Sequence, residues 1–241
     1  MSNTIEPLLR FSGPPRHLSA LMAPDFPADR EAVRWEARLV SDEAAAALDV
    51  PITIECVKHL HPGVRKVATR LPPSTPPGRY VVAIDVEGTT REAVLEVQPR
   101  ARSQIFPKRV RLTVCPGETA EVDLEICNVG NVTLAIPQMT AFVIANSEAL
   151  CRAIQTTVMT HRKGEERPLD RLANEMMDNG YGGTVHVRTH CKELAIAPGE
   201  VTALSASLRM PNADDMLTER TYWGLWNVHS GKSHRVILDV V

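Results

Sequence analysis

The residues best equipped for chemistry are few and scattered. In TVHVRTHC, residues 184–191, His186, Arg188 and His190 alternate with Val185, Val187 and Cys191, a strand pattern with one polar face. At about 3.3 Å per residue the two histidines stand about 13 Å apart, too far for one metal ion, so a solvated sheet face is expected. His59 and His61 are closer, about 6.6 Å by the same rise, and could join a third ligand. Pro62-Gly63 follows at once, which makes a surface pair beside a turn the expected reading. Ser230-Gly231-Lys232-Ser233 copies the tail of a phosphate-binding loop, but the leading glycine of that motif falls on Trp226 and no helix is expected to follow. A hairpin turn explains it better.

Cys151 falls in the first turn of a predicted helix, where amide dipoles favour a thiolate, although a half-buried packing role is the expected one. There is no Gly-x-Ser-x-Gly elbow, no His-Glu-x-x-His helix and no dinucleotide fingerprint, and no carboxylate pair can be placed across a cleft. The expectation is therefore a non-enzymatic protein with no cofactor and no metal.

The elements that would position these residues follow a repeated design. PPGRYVVAIDVEGTTREAVLEV, residues 76–97, and ERTYWGLWNVHSGKSHRVILDV, residues 219–240, each contain a tyrosine, an alternating apolar run, a polar turn and a second alternating run. Each reads as a β-hairpin. Period-two alternation puts Tyr80, Val82, Ile84 and Val86 on one face, and in register with them Tyr222, Gly224, Trp226 and Val228. If those faces point inward, Trp223 and Leu225 point outward, where the first hairpin has Val81 and Ala83. Two such hairpins, each closing half of the chain, predict a mainly β protein of two tandem antiparallel β-sandwiches.

Composition sets the outer bounds. The chain has 241 residues, 44% hydrophobic and 23% charged, with a formal net charge of −2. That is long enough for two ordinary domains and lacks the basic excess that a nucleic-acid partner usually needs. No apolar run has the length of a membrane span, and the first residues lack the cationic start and apolar block of a signal peptide, so a cytoplasmic location is expected. Cys56, Cys115, Cys127, Cys151 and Cys191 are odd in number and contain no Cys-x-x-Cys pair, as expected of reduced thiols. Asn131-Val132-Thr133 matches a glycosylation sequon, which matters only in a secreted chain.

Along the chain, residues 1–30 carry Pro7, Pro14, Pro15, Pro24 and Pro27 and read as a Pro-rich arm with at most a short edge strand near Leu8 to Phe11. Residues 31–99 read as the first sandwich, with a helical turn at 41–50, 100–108 as a linker and 109–241 as the second sandwich. In the latter, Pro116-Gly117-Glu118 and then Asn128 to Asn131 turn successive strands, and LAIAPGEVTALSASLRMP, residues 194–211, repeats the Pro-Gly-Glu turn. This order of strand, Pro-Gly-Glu, strand, Asn-x-Gly-Asn, strand resembles bacterial immunoglobulin-like modules of the α-galactosidase-associated type. The resemblance covers about Val110 to Pro137 and Leu194 to Val241 and implies an immunoglobulin-like fold. It also implies a carbohydrate-binding accessory role as the alternative to a protein-interaction role.

An insertion at 146–183 departs from that pattern and reads as two helices. Ser147 can cap the first, with Leu150, Ile154 and Val158 as its apolar stripe and Lys163-Gly164 as its end. Pro168 suits the first turn of the second, whose stripe is Leu169, Leu172, Ala173, Met176 and Met177, ending at Asn179-Gly180. Gly180-Tyr181-Gly182-Gly183 then reads as a cap and hinge. Helices this short must bury their stripes on the sandwich, covering Trp223 and Leu225, or on a partner. The second sandwich is accordingly expected to bind another protein or a second copy through Trp223, Leu225, Met176, Met177 and Tyr181.

Overall fold

The structure is a computed structural model; it describes residues 9–22, 33–39, 52–58, 65–86, 89–160, 167–191, 194–229 and 232–241. The chain forms two compact units, one of Met1–Arg102 with 129–133 and 197–199, the other of Ser103–Asn128, Leu134–Ile196 and Glu200–Val241. Both are β-structures, and the expected two-helix insertion lies in the second. His59, His61, the helical turn at 41–50, Lys163-Gly164 and the turn residues Ser230 and Gly231 lie outside the described residues.

The first unit contains β1 (Leu9–Gly13), β2 (Leu18–Met22), β3 (Val33–Leu39), β4 (Ile52–Lys58), β5 (Arg65–Thr69), β6 (Gly78–Val86) and β7 (Thr89–Val97). They run in the order β1-β2-β5-β4-β3-β6-β7, and β1 pairs parallel with β7 to close the sheet. The Pro-rich arm expected over residues 1–30 is thus corrected at its described part. Pro14 and Pro15 fall in the turn between β1 and β2, where no ladder N–H is needed, and leave both flanking stretches free to pair. Phe11 and Leu18 are fully buried beside Ile54, Val82 and Leu95, so this segment supplies core.

The second unit contains β8 (Ser103–Phe106), β9 (Arg109–Val114), β10 (Thr119–Asn128), β11 (Leu134–Ile136), β12 (Met139–Asn146), β13 (Tyr181–Thr189), β14 (Leu194–Ile196), β15 (Val201–Arg209), β16 (Thr221–His229) and β17 (Lys232–Val240). Eight of these form one sheet in the order β8-β10-β15-β13-β12-β16-β17-β9, and β11 pairs with β14. The linker expected at 100–108 is shorter than read, because Ser103 and Ile105 alternate inward and β8 pairs with β10. Each Pro-Gly-Glu turn places its glycine at positive φ, Gly117 at 75° and Gly199 at 82°. As β7 does with β1, the last strand β17 pairs parallel with an early strand, β9.

The closing hairpin follows the predicted parity. Tyr222, Gly224, Trp226 and Val228 are buried, Leu225 and Asn227 are exposed, and Tyr222 stands opposite Leu238. A register shift between Asn227 and His229 then turns two consecutive residues, Val228 and His229, inward. His234 stands opposite Trp226 and is buried without a hydrogen-bond partner for its Nε2. Burial, with a smaller contribution from the Lys232 cation, holds its imidazole below the usual histidine range. With the folded value lowered, both states are neutral above about pH 6.5, and below it the unfolded chain takes up a proton that the folded chain refuses. Thermal unfolding between pH 7.5 and 5.5 is therefore expected to show Tm falling with pH, and His234→Phe is expected to flatten that slope; an unchanged slope contradicts the assignment.

Candidate functional site

The candidate site is the outward face of the second unit, and three strands build it. Ala145 on β12 pairs with Trp223 on β16 and with Tyr181 on β13, so Tyr181, Ala145 and Trp223 form one row. With neighbouring strands about 4.8 Å apart, the two aromatic positions are about 10 Å from each other across a side chain that is only a methyl group. Val143, two residues before Ala145, and Leu225, two residues beyond Trp223, continue the same face and are 57% and 48% exposed. Alternation on β12 and β16 thus supplies the core on one side and an apolar strip on the other.

The surroundings differ in character. Two strands along the sheet from β13, the outward positions of β10 are Glu121, Asp123 and Glu125. At the opposite end Arg111 on β9 forms a two-pronged ion pair with Asp239, at 2.6 and 3.0 Å, which together with Thr221 holds that carboxyl below the usual range. The Arg235 guanidinium lies 5.8 Å from the Trp223 ring centroid, covering one face of a half-buried indole.

The insertion flanks this region with α1 (Ser147–Thr160) and α2 (Pro168–Asn179). The first cap is Asn146, not Ser147: its Oδ1 accepts from the Glu148 and Ala149 N–H groups at 2.9 and 3.3 Å. The expected apolar stripe of α1 is also corrected. Ala149, Ala153 and Thr157 are buried while Ile154 and Val158 are exposed, so the buried row is turned about 100° around the helix from those two. Small side chains allow close docking there, and Val158, Met159 and, on α2, Leu169 remain 72–77% exposed. Of the two placements open to the helices, covering of Leu225 does not occur.

The other expected site residues fall as follows. Tyr181 is exposed, its hydroxyl 3.2 Å from that of Thr184. Met176 is half-buried and curls against Gly180, and Met177 lies in the last turn of α2. Gly180 does cap α2, donating to the Met176 carbonyl at 2.9 Å. Gly182 and Gly183, however, are strand residues rather than a hinge: both are buried in β13, Gly182 against the Tyr222 ring and Gly183 against Pro211 at a φ of +88°.

Two arrangements that sequence spacing could not reveal test the expectation of no catalysis. Ser103 Oγ and His229 Nε2 are 2.7 Å apart, but both residues are sealed in the interior, where no substrate reaches them. On the surface, His190 Nε2 contacts both Ser207 Oγ at 2.7 Å and Glu121 Oε2 at 3.2 Å. A serine relay needs the hydroxyl and the acid on opposite ring nitrogens, so this contact does not supply one. Lys232 and Ser233 open β17, so no helix N-terminus follows the phosphate-loop-like tail. Among the described residues no three His, Cys, Asp or Glu side chains group at metal-binding distance, and no helix is long and apolar enough to cross a membrane. Asn131 is buried, its amide donating to the Gln98 carbonyl and accepting from Arg100 N–H, which removes it from a glycosylating enzyme.

Cys151 is exposed instead of half-buried. Burial and the adjacent Glu118 push the Cys115 thiol up, and Cys127 and Cys191 are partly covered. Limited maleimide labelling of the native protein, read by peptide mapping, is expected to modify Cys151 well before these three; equal labelling would contradict the exposure.

No protein-family model matches the chain, and no curated protein matches it. Among solved structures it is similar to a protein of unknown function from Porphyromonas gingivalis W83, at 14% identity over 96% of this chain and 95% of that one, with a TM-score of 0.27. It is also similar to a complex of Dpr11 IG1 with DIP-gamma, at 12% identity over 96% and 94% with a TM-score of 0.29, and to a three-Ig titin fragment, at 10% over 98% and 64% with a TM-score of 0.31. The fold assignment rests on the strand pairing described above.

Proposed function

We propose that this chain is a non-enzymatic protein-interaction module whose contact surface is the outward face of the second unit, centred on Trp223 and Leu225 and reaching Tyr181, with the insertion helices as a second apolar contributor. The observation that carries this reading is the row Tyr181–Ala145–Trp223 with Val143 and Leu225 beside it, an apolar strip on a face that carries the acidic row Glu121, Asp123 and Glu125 on β10. Two large aromatics flanking a small residue leave a shallow recess of the kind that an aliphatic anchor on a partner fills.

Magnitudes support use of both surfaces together. Complete burial of an apolar side chain contributes about 1.5–3 kcal/mol, whereas association costs about 4–15 kcal/mol. Three or four exposed helix side chains meet only the lower part of that range, and adding the sheet face extends the gain further into it. The two Pro-Gly-Glu turns and the matching parallel closure of each unit support the likeness to bacterial immunoglobulin-like modules, which fits a binding role. The test pairs light scattering across a concentration series with affinity capture, using wild type and Trp223→Ala/Leu225→Ala. Loss of a bound protein or of self-association in the variant supports the reading. Unchanged assembly together with loss of glycan binding on an array overturns it.

A further inference from the structure

A groove of about 780 Å³ opens at the β13/β15 side of the second unit, and its lining has a chemistry unlike that of the apolar strip. Its floor carries His186 and Arg188 from β13 and Arg209 from β15, with His186 directly opposite Arg209 and Arg188 opposite Ser207. Opposed side chains on paired strands have Cβ atoms about 5 Å apart and diagonal ones about 7–8 Å, so both guanidiniums and the imidazole reach a common point above the sheet. Tyr181 and Thr184 add a pair of hydroxyls at one end. Met210 and Pro211 form an apolar wall, and Asp215 is the one carboxylate in the lining.

What separates this cluster from an ordinary solvated face is its lack of internal partners. Among the described residues neither the Arg188 nor the Arg209 side chain forms an ion pair or hydrogen bond, although on the same face the β10 carboxylates Glu121 and Asp123 have partners. There His190 contacts Glu121, and Ser205 donates to Asp123 at 2.5 Å. The groove lining keeps a positive excess in a chain whose formal net charge is −2, so the excess is local and not a reflection of composition. Guanidinium groups bind oxyanions in a two-pronged manner, and two of them arranged around one point favour a tetrahedral dianion over a single carboxylate. The volume suits a small molecule, and the Met210–Pro211 wall suits an apolar body attached to the anion.

We propose that this groove binds a small molecule consisting of a phosphoryl group on an apolar body, with Arg188 and Arg209 clamping the oxyanion, His186 and the Tyr181–Thr184 hydroxyls adding hydrogen bonds, and Met210 and Pro211 covering the body. Asp215 is placed to accept from a hydroxyl of the same ligand and disfavours a second anionic group. The groove shares Tyr181 with the protein-contact strip but takes its anion through Arg188 and Arg209, which the strip does not use, so either reading stands if the other fails.

The test is isothermal titration of the full chain with phenyl phosphate and, separately, with inorganic phosphate. Phenyl phosphate is expected to bind saturably and more tightly than the free anion. Arg188→Gln/Arg209→Gln is expected to weaken it at least tenfold, and Arg109→Gln, on an exposed position of β9, to leave it unchanged. Amide NMR shifts in the wild-type protein, expected to cluster at 184–188 and 207–212, keep the proposal testable should the double variant fold poorly. Absence of saturable binding, equal binding in a folded double variant, or shifts elsewhere overturns the proposal. Equal affinity for the two probes overturns the part assigned to Met210 and Pro211.

Discussion

Trp226→Ala is expected to destabilise the second unit by about 3–5 kcal/mol, the range for truncating a fully buried large aromatic. Its side chain is inaccessible to solvent and lies in a core shared with Tyr222, Val236 and Leu238 on the same hairpin. The void left in a sheet core collapses poorly, because the facing strands are held in register by their ladders. A loss of this size corresponds to a drop in Tm on the order of 10 °C. The indole Nε1 has no protein partner, so Trp226→Phe removes a buried, unsatisfied donor along with some volume and is expected to cost clearly less than the alanine variant. Urea unfolding followed by circular dichroism measures both. An alanine variant within 1 kcal/mol of wild type would contradict the inward orientation of the hairpin.

The second large effect concerns the glycines beneath the strip. A Cβ on Gly182 would fall inside the van der Waals envelope of the Tyr222 ring and 3.2 Å from Ile144 Cγ1. That ring is buried, and its hydroxyl accepts from the Leu217 N–H at 3.0 Å, so it cannot swing aside without losing that bond. Gly182→Ala is therefore expected to cost about 1–3 kcal/mol through overpacking. Gly224→Ala meets the Phe142 ring at 2.5 Å and the Val143 carbonyl oxygen at 2.8 Å, a backbone atom, and is expected to lie at or above the upper end of the same range. A hinge glycine would tolerate alanine with little loss, so the thermal melt of Gly182→Ala separates a packing role from a hinge role. Stability equal to wild type would restore the hinge.

Elements governed by local periodicity were legible in the sequence. Strict alternation over residues 219–240 announced both the hairpin and the opposite faces of Trp223 and Trp226, because a strand has a period of two whatever it pairs with. Pro168 and Gly180 marked the ends of α2 for equally local reasons. The segments that misled were those where local chemistry is ambiguous. Prolines allowed only a short edge strand near Leu8 to Phe11 and discouraged the strand at Leu18–Met22, yet the pair at Pro14-Pro15 occupies the turn between two paired strands. On α1 the larger apolar residues pointed to the wrong stripe, since close docking favoured alanine and threonine.

The proposed contact surface was only half legible. Parity supplied Trp223 and Leu225, but the row joining Trp223 to Tyr181 depends on β12 entering between β13 and β16, a pairing between residues far apart in the chain. The convergence of Arg188 and Arg209 depends likewise on the β13–β15 register. Nothing in the spacing of Ser103 and His229 signals their contact, for the same reason.

The central claim is that the outward strip of the second unit holds a protein partner, and quantitative affinity capture from the source cells tests it most directly. Wild type and Trp223→Ala/Leu225→Ala serve as baits, matched for Tm. Truncating a central tryptophan of an interface typically costs about 2 kcal/mol or more, roughly 30-fold in Kd. A protein retained by wild type, a second copy of this chain included, is expected to be depleted at least tenfold on the variant. Retention of the same proteins in the same yield by both baits would contradict it.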